Sequence, residues 1–342
     1  MKDQFEGQPR VDRSDVYSAY REWPALARQG LAVDAPFSGG TYSRVAFLGM
    51  GGSASAGDII SGWLFARDGR DVSVYKGSLP GGDMRGTLAL ACSASGGTLE
   101  TIGMAKSAML RGADVVVVSG GGELKELAEA SNIPFVGLPT VRAPRYGTPA
   151  MLFACVRVVD AALGLSARVE AEQAAEALGS EWKRLSADVS ASRNAAKSLA
   201  LAVRESTPKV YGTRVTRGVG VRFCNSVNEN AKTHAFFEEV PEAMHNDVET
   251  WESPDPRFVP VLLRCSADDP KMSTRMGWFG SAIKQRGADP VTVEGSGPTP
   301  LAELVTMAYK LDMASYYLAV LRRVDPLPTR LLTKLRERLG SK

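Results

Sequence analysis

Histidine is almost absent from this chain. Its 342 residues hold two, His234 and His245, and both fall in the stretch NSVNENAKTHAFFEEVPEAMHND (225–247). Cysteine is nearly as scarce. The four present, Cys92, Cys155, Cys224 and Cys265, form no CxxC pair, which argues against a metal site or redox motif and reads as buried free thiols. Neither sign of charge is in excess. A net charge of +3 with no long block of like charges gives no case for nucleic acid or a membrane surface as partner. No window reaches 18 uninterrupted apolar residues, so no membrane span is expected. The N-terminal MKDQFEGQPRVDRSD lacks the apolar core of a secretory signal, leaving the cytoplasm as the expected location. What remains, 44% hydrophobic and 23% charged residues, is ordinary for a soluble globular protein with room for two domains.

The apolar runs YSRVAFLGM (42–50), DVSVYKG (71–77), TLALACS (87–93), DVVVVSG (114–120) and PFVGLP (134–139) read as short strands. Between them ASAGDIISGWLFARDG, which closes on Gly69, TLETIGMAKSAMLRG and ELKELAEASN carry helical spacing. This alternation indicates βαβ units and a parallel sheet, and the unbroken apolarity of DVVVV means both its faces are covered. Residues 149–206 lack strand signals and read as two or three helices. The alternation then restarts with PKVYGT (208–213), a helix through Asn225–Phe237, FVPVLLRC (258–265), a helix over STRMGWFGSAIKQRG and PVTVEG (290–295). A long helix, PLAELVTMAYKLDMASYYLAVLRR, stops at Asp325-Pro326, and PTRLLTKLRERL gives a last one. No short period appears, so solenoids are excluded. The reading is two open α/β domains in tandem: a helical segment over 1–40, a first domain over 41–165, linking helices over 166–206, and a second domain with C-terminal helices over 207–342.

In open α/β sheets ligands bind beyond the carboxyl ends of strands, where helix N-termini present amide hydrogens. Two strand ends fit. GMGGSASAGD (49–58) has glycines for close backbone approach and the hydroxyls of Ser53 and Ser55. CSASGGTLET (92–101) sets Ser93, Ser95 and Thr98 on a turn, with Thr98 placed to cap the following helix. Neither has the lysine of GxxxxGK[ST], and the first lacks GxGxxG spacing, which disfavours a nucleoside triphosphate and a dinucleotide. Such clusters are also common turn and cap residues. If functional, they point to a monophosphate held by hydroxyls.

The pattern S-x-S-G-x-T-x-E resembles the phosphosugar loop of sugar isomerase (SIS) domains. With the GMGGS loop and NSVNENAK followed by PEAMHN, the chain from about Arg44 to Asp325 resembles the bifunctional phosphoglucose/phosphomannose isomerases. The resemblance implies two tandem SIS-type, flavodoxin-like three-layer domains. It also implies an aldose–ketose isomerase interconverting glucose 6-phosphate, and mannose 6-phosphate, with fructose 6-phosphate through a cis-enediol.

That reaction needs a carboxylate base at C1–C2, acid–base help in opening the ring, and positive charge at the enediolate oxygen; it requires no metal or redox cofactor. By resemblance Glu229 is the base and His245 the ring-opening group, contributed across a homodimer interface. Arg145 steadies the enediolate, Lys310 assists at the ring oxygen, and Gly52, Ser53, Ser93, Ser95 and Thr98 hold the phosphate. Imidazole suits its task because its ordinary pKa lets it give and take a proton near neutrality. His234 has no counterpart in the motif and reads as structural or surface. Arg142 competes with Arg145 for the substrate, and Tyr309, Tyr316 and Tyr317 read as core. Three residues depart from the family pattern: Gly97 for an asparagine, Ser55 for a glycine, Ala94 for a bulkier residue. The rival reading is a sugar-phosphate sensor without chemistry, which has no physical need for Glu229, His245, Arg145 and Lys310. A different SIS enzyme, such as an amidotransferase isomerase half, is opposed by NENAK with PEAMHN.

Overall fold

The computed structural model describes residues 5, 8–35, 40–78 and 81–339. The chain divides into two compact units, residues 22–175 with 329–342, and residues 1–21 with 176–328.

The unit of residues 22–175 is built on β1 (Arg44–Gly49), β2 (Val72–Tyr75), β3 (Thr87–Ser93), β4 (Asp114–Ser119) and β5 (Phe135–Gly137). All pairings are parallel and the order is β2-β1-β3-β4-β5, the flavodoxin-like winding. β3 is buried along its whole length and β4 everywhere except Asp114, which is why their sequences run apolar without alternation. Ala89, Ala91, Val115 and Val117 of these strands pack against Ile102, Met104, Ala105 and Leu124 from the helices that follow. The helix Gly51–Asp68 ends as its sequence foretells, with Gly69 in the left-handed region at φ 72°. One stretch, Pro144–Leu163, is long and apolar enough to cross a membrane by length and composition, and most of it is buried inside its unit. Arg157 and Asp160 interrupt it, so it holds no long unbroken apolar run.

The other unit carries β6 (Thr207–Gly212), β7 (Phe236–Glu239), β8 (Phe258–Arg264) and β9 (Val291–Glu294), parallel in the order β7-β6-β8-β9. This is the first winding with one strand fewer. Here the sequence expectation of a single helix through Asn225–Phe237 is wrong. The helix spans Arg217–Ser226, widens into a π turn at Val227–Ala231, and stops where Lys232 turns left-handed at φ 55°. Phe236 and Phe237 then pair with Lys209 and Val210. The Phe237 ring lies against Gly212 and Gly220, in space that only glycines leave free. The helix Pro300–Leu321 is capped by Thr299, whose hydroxyl accepts from the Ala302 amide at 3.2 Å. Tyr309, Tyr316 and Tyr317 are fully buried, as expected of core residues. Their hydroxyls donate to the Tyr20 carbonyl (2.6 Å), Asp12 (3.0 Å) and the Leu185 carbonyl (2.7 Å). All four cysteines are buried free thiols, and burial pushes those of Cys224 and Cys265 up to about 12.

Candidate active site

Strands β1, β3 and β4 end in register, with Gly49 opposite Cys92 and Ser93 opposite Ser119. The turns after them therefore lie side by side at the carboxyl edge of the first sheet. The helix after β1 begins at Gly51, so GGSAS is its first turn and not a loop before it. Ser53 is buried and its hydroxyl oxygen accepts from the Ala94 amide at 3.2 Å, tying the first turn to the second. Ser93, also buried, accepts from the Gly96 amide at 3.0 Å and shares a hydrogen bond with the Thr98 hydroxyl at 3.0 Å. Exposed Ser95 accepts from the Gly97 amide at 3.3 Å. Thr98 stands at the N-cap position but does not cap; its hydroxyl turns to Ser93, which corrects the expectation from sequence. Ser55 donates to the Gly51 carbonyl at 3.2 Å and is buried, so it neither offers a donor nor crowds the turn. At Gly97 a side chain would meet nothing within 4 Å, so the missing asparagine leaves open space.

Arg145 joins this edge. Its turn, Pro144–Gly147, packs so closely on Gly52 that a Cβ there would lie 3.2 Å from the Arg145 Cα. Arg145 is buried with its guanidinium 4.6 Å from the centre of the Tyr146 ring, whereas the competing Arg142 is exposed. Gly52, Ser53, Ser93, Thr98 and Arg145 thus gather at one strand edge, with Ser95 on its rim. Hydroxyls that accept loop amides retain their own O–H groups for an anion's oxygens, although the Ser93–Thr98 pair spends one proton internally. The first turn of the helix Leu99–Leu110 adds its positive dipole end.

The remaining candidates lie in the other unit. Glu229 sits half-buried in the π turn. Beside it Asn230 is fully buried and donates to the hydroxyls of Tyr20 and Ser315, both at 2.8 Å. The same interior holds an ion pair of Arg222 with Asp312 at 2.6 Å, and Ser226 donates to Asp312 at 2.9 Å. Burial pushes the Asp312 carboxyl up against the pull of Arg222 and Ser226. On the outside, the Lys232 ammonium donates to the Glu229 carbonyl and, at 3.2 Å, to the Pro326 carbonyl. Lys310 lies on the long helix five residues from Ser315, about 7.5 Å of helical rise. It donates to the Glu294 carbonyl (2.7 Å) and Ser296 (3.0 Å) and pairs with buried Glu181 at 3.6 Å. Glu229 and Lys310 therefore occupy one packed pair of helices. His245 stands apart, exposed in the turn Glu242–His245 with no side-chain hydrogen bond among the described residues. His234 is exposed and stacks on Phe236 at 6.3 Å, a surface residue as read. Among the described residues no cluster of His, Cys, Asp or Glu is arranged to hold a metal ion.

Sequence reasoning missed two parts of this arrangement. The turn Gly120–Gly122 packs on the serine loop, and at Gly96 (φ 74°) a Cβ would lie 1.6 Å from the Gly121 carbonyl oxygen. The run of three glycines after DVVVVS was its signal. The buried Asn230–Ser315 and Arg222–Asp312 contacts had none, because they join residues 85 and 90 positions apart.

Two parallel sheets of the same winding, with a hydroxyl-lined turn at the carboxyl edge of the first, make a fold of two tandem SIS-type domains. Residues 192–339 match the family described as bacterial phospho-glucose isomerase C-terminal SIS domain. The chain is similar to the bifunctional phosphoglucose/phosphomannose isomerase of Aquifex aeolicus, with 29% identity over 87% of this chain and 91% of that one. It is also similar to the D-glucosamine-6-phosphate 4-epimerase of Sulfolobus acidocaldarius, with 27% identity over 72% of this chain and 76% of the relative. Among solved structures, a glucose-6-phosphate isomerase like protein from Thermus thermophilus superposes with a TM-score of 0.63. It covers 98% of this chain and 99% of its own at 22% identity, a likeness of fold. The family resemblance read from the loop and the NENAK and PEAMHN motifs is borne out.

Proposed function

We propose that this protein is an aldose–ketose isomerase that interconverts glucose 6-phosphate, and mannose 6-phosphate, with fructose 6-phosphate. The observation that carries the reading is the set of small hydroxyls interlocked at one strand edge beside a buried arginine, a cradle of the right chemistry for a sugar phosphate. In this reading Gly52, Ser53, Ser93, Ser95 and Thr98 hold the phosphate. Glu229 takes the proton from C2 of the open aldose and returns it to C1, and Arg145 offsets the charge on the enediolate oxygen. His245 opens the ring with help from Lys310 at the ring oxygen. An enediol erases the C2 stereocentre, so a pocket roomy at that carbon accepts both aldoses.

His245, exposed and without a side-chain hydrogen bond among the described residues, supports a homodimer in which this imidazole serves the neighbouring copy. Four free cysteines accord with work in the cytoplasm, where thiols stay reduced. Deuterated water provides the test. Wild type incubated with fructose 6-phosphate should yield aldose labelled at C2, and Glu229→Gln should lose about a hundredfold or more of that rate. D-Glucosamine 6-phosphate, drawn from the name of the second relative, belongs in the same experiment. Conversion of it at C4, without exchange on fructose 6-phosphate, overturns the isomerase reading in favour of an epimerase.

A further inference from the structure

His245 has no side-chain partner of its own among the described residues, yet the backbone that carries it is fixed on both sides. Before it, Val240, Ala243 and Met244 pack into an apolar cluster with Tyr211, Leu262 and Phe279. After it, Asp247 accepts the Tyr211 hydroxyl proton and pairs with the Lys209 ammonium at 2.9 Å. The indole of Trp251 donates to the Tyr211 oxygen at 2.8 Å, so this fully buried phenol is satisfied as both donor and acceptor. Tyr211 lies on β6, held between Glu238 of β7 and Leu262 of β8. A sheet residue thus grips a surface turn two positions from the second and last imidazole of the chain.

We infer that Tyr211 and Asp247 are positioning residues for His245, holding the turns Glu242–His245 and Asp247–Trp251 so that the imidazole is presented in one fixed place for opening the sugar ring. The inference rests on the isomerase reading. Burial, with the Asp247 carboxylate next, keeps the phenol well above its usual pKa, so it stays a donor at any working pH. When the ring of fructose 6-phosphate opens, the anomeric hydroxyl at C2 loses its proton. The C2–O5 bond then breaks with its electron pair on O5, and O5 gains a proton. Proton transfer between C1 and C2 afterwards uses the carboxylate and does not call on the imidazole. A misplaced His245 therefore slows opening alone.

The experiment compares two ketoses on the full-length protein. Fructose 6-phosphate must be opened, whereas 5-deoxyfructose 6-phosphate lacks the hydroxyl that closes the ring and is always open. Tyr211→Phe should cut turnover of fructose 6-phosphate about tenfold or more, while deuterium exchange into the open ketose stays within about twofold of wild type. Asp247→Asn should show the same split, and it carries the test if Tyr211→Phe does not fold. Equal slowing of both substrates, or no slowing of either, overturns the positioning role and leaves the isomerase reading standing. A wild type that exchanges neither substrate removes the isomerase reading, and this inference with it.

Discussion

The two sheets share a winding, and β3 and β8 hold the same place in it. Each also runs into the same three residues, in CSASGGTLET at the end of β3 and CSADDPKMST at the end of β8. Beyond the shared Cys-Ser-Ala the two loops differ in charge. After β3 the loop amides of Gly96 and Gly97 are held by the neutral hydroxyls of Ser93 and Ser95. After β8 the protein supplies its own anions. Asp268 accepts from the Cys265 amide at 3.1 Å and from the Thr213 hydroxyl at 2.5 Å. Glu303 takes the Ser266 amide at 2.8 Å and the Ser266 hydroxyl as well. Asp269 caps the helix Pro270–Gln285 through the Lys271 amide at 2.8 Å, and Pro270 has no amide to offer. The amides and hydroxyls of the second loop are taken up by its own carboxylates, so on the proposed function each chain should hold one sugar phosphate. Winding supplies the place, and the side chains decide whether it stays open.

The largest test moves the second solution into the first loop. Counted from the shared cysteine, Ser95 corresponds to Asp268. On the proposed function, Ser95→Asp would put a carboxylate beside the phosphate, a repulsion of about 3 kcal/mol for unit charges about 5 Å apart at an effective dielectric constant near 20. Affinity for fructose 6-phosphate should fall about a hundredfold, read by titration calorimetry, and unchanged affinity would break the comparison. A smaller effect is expected from Glu303→Gln, which removes charge-assisted bonds to Ser266. Urea unfolding should show a loss of about 1–2 kcal/mol. Substrate affinity should stay within about twofold of wild type, because the open loop is untouched. A second phosphate bound by this variant would sharpen the contrast, naming Glu303 as the bar.

The smallest effect concerns pH. Burial raises the Asp268 carboxyl above its ordinary pKa, against the lowering pull of Thr213 and the Cys265 amide. Between the ordinary and the raised value the folded state binds more protons than the unfolded one. Asp268 therefore contributes stability that is full below the ordinary value and is lost as pH rises through the raised one. The stability of wild type minus that of Asp268→Asn, measured in urea from acid to neutral pH, should decline with rising pH. A difference that grows instead would refute the assignment.

Eight of the nine strands among the described residues were legible as short β-rich runs between turn residues, unbroken and apolar in β3 and β4, which are covered on both faces. β7 was not. Phe236-Phe237-Glu238-Glu239 has no alternation and no glycine or proline before it, and its strand character comes from pairing with β6. The hydroxyl residues of the first loop and Glu229 could be named from motifs, which fix residue type and order. How those residues are held could not. Thr98 at a helix start reads as a cap until Ser93, across the loop, claims its hydroxyl. Nothing in NENAK shows that Asn230 is buried against Tyr20 and Ser315. Pairings across tens of residues leave no periodic trace.

The close meeting of Gly96 with the Gly121 carbonyl has a thermodynamic consequence. That contact locks the turns after β3 and β4 together, and the Ser53–Ala94 hydrogen bond ties the helix after β1 to them. On the proposed function, little chain entropy is left for these turns to surrender to a sugar phosphate. Ordering of the sugar and release of water should then govern the entropy of association.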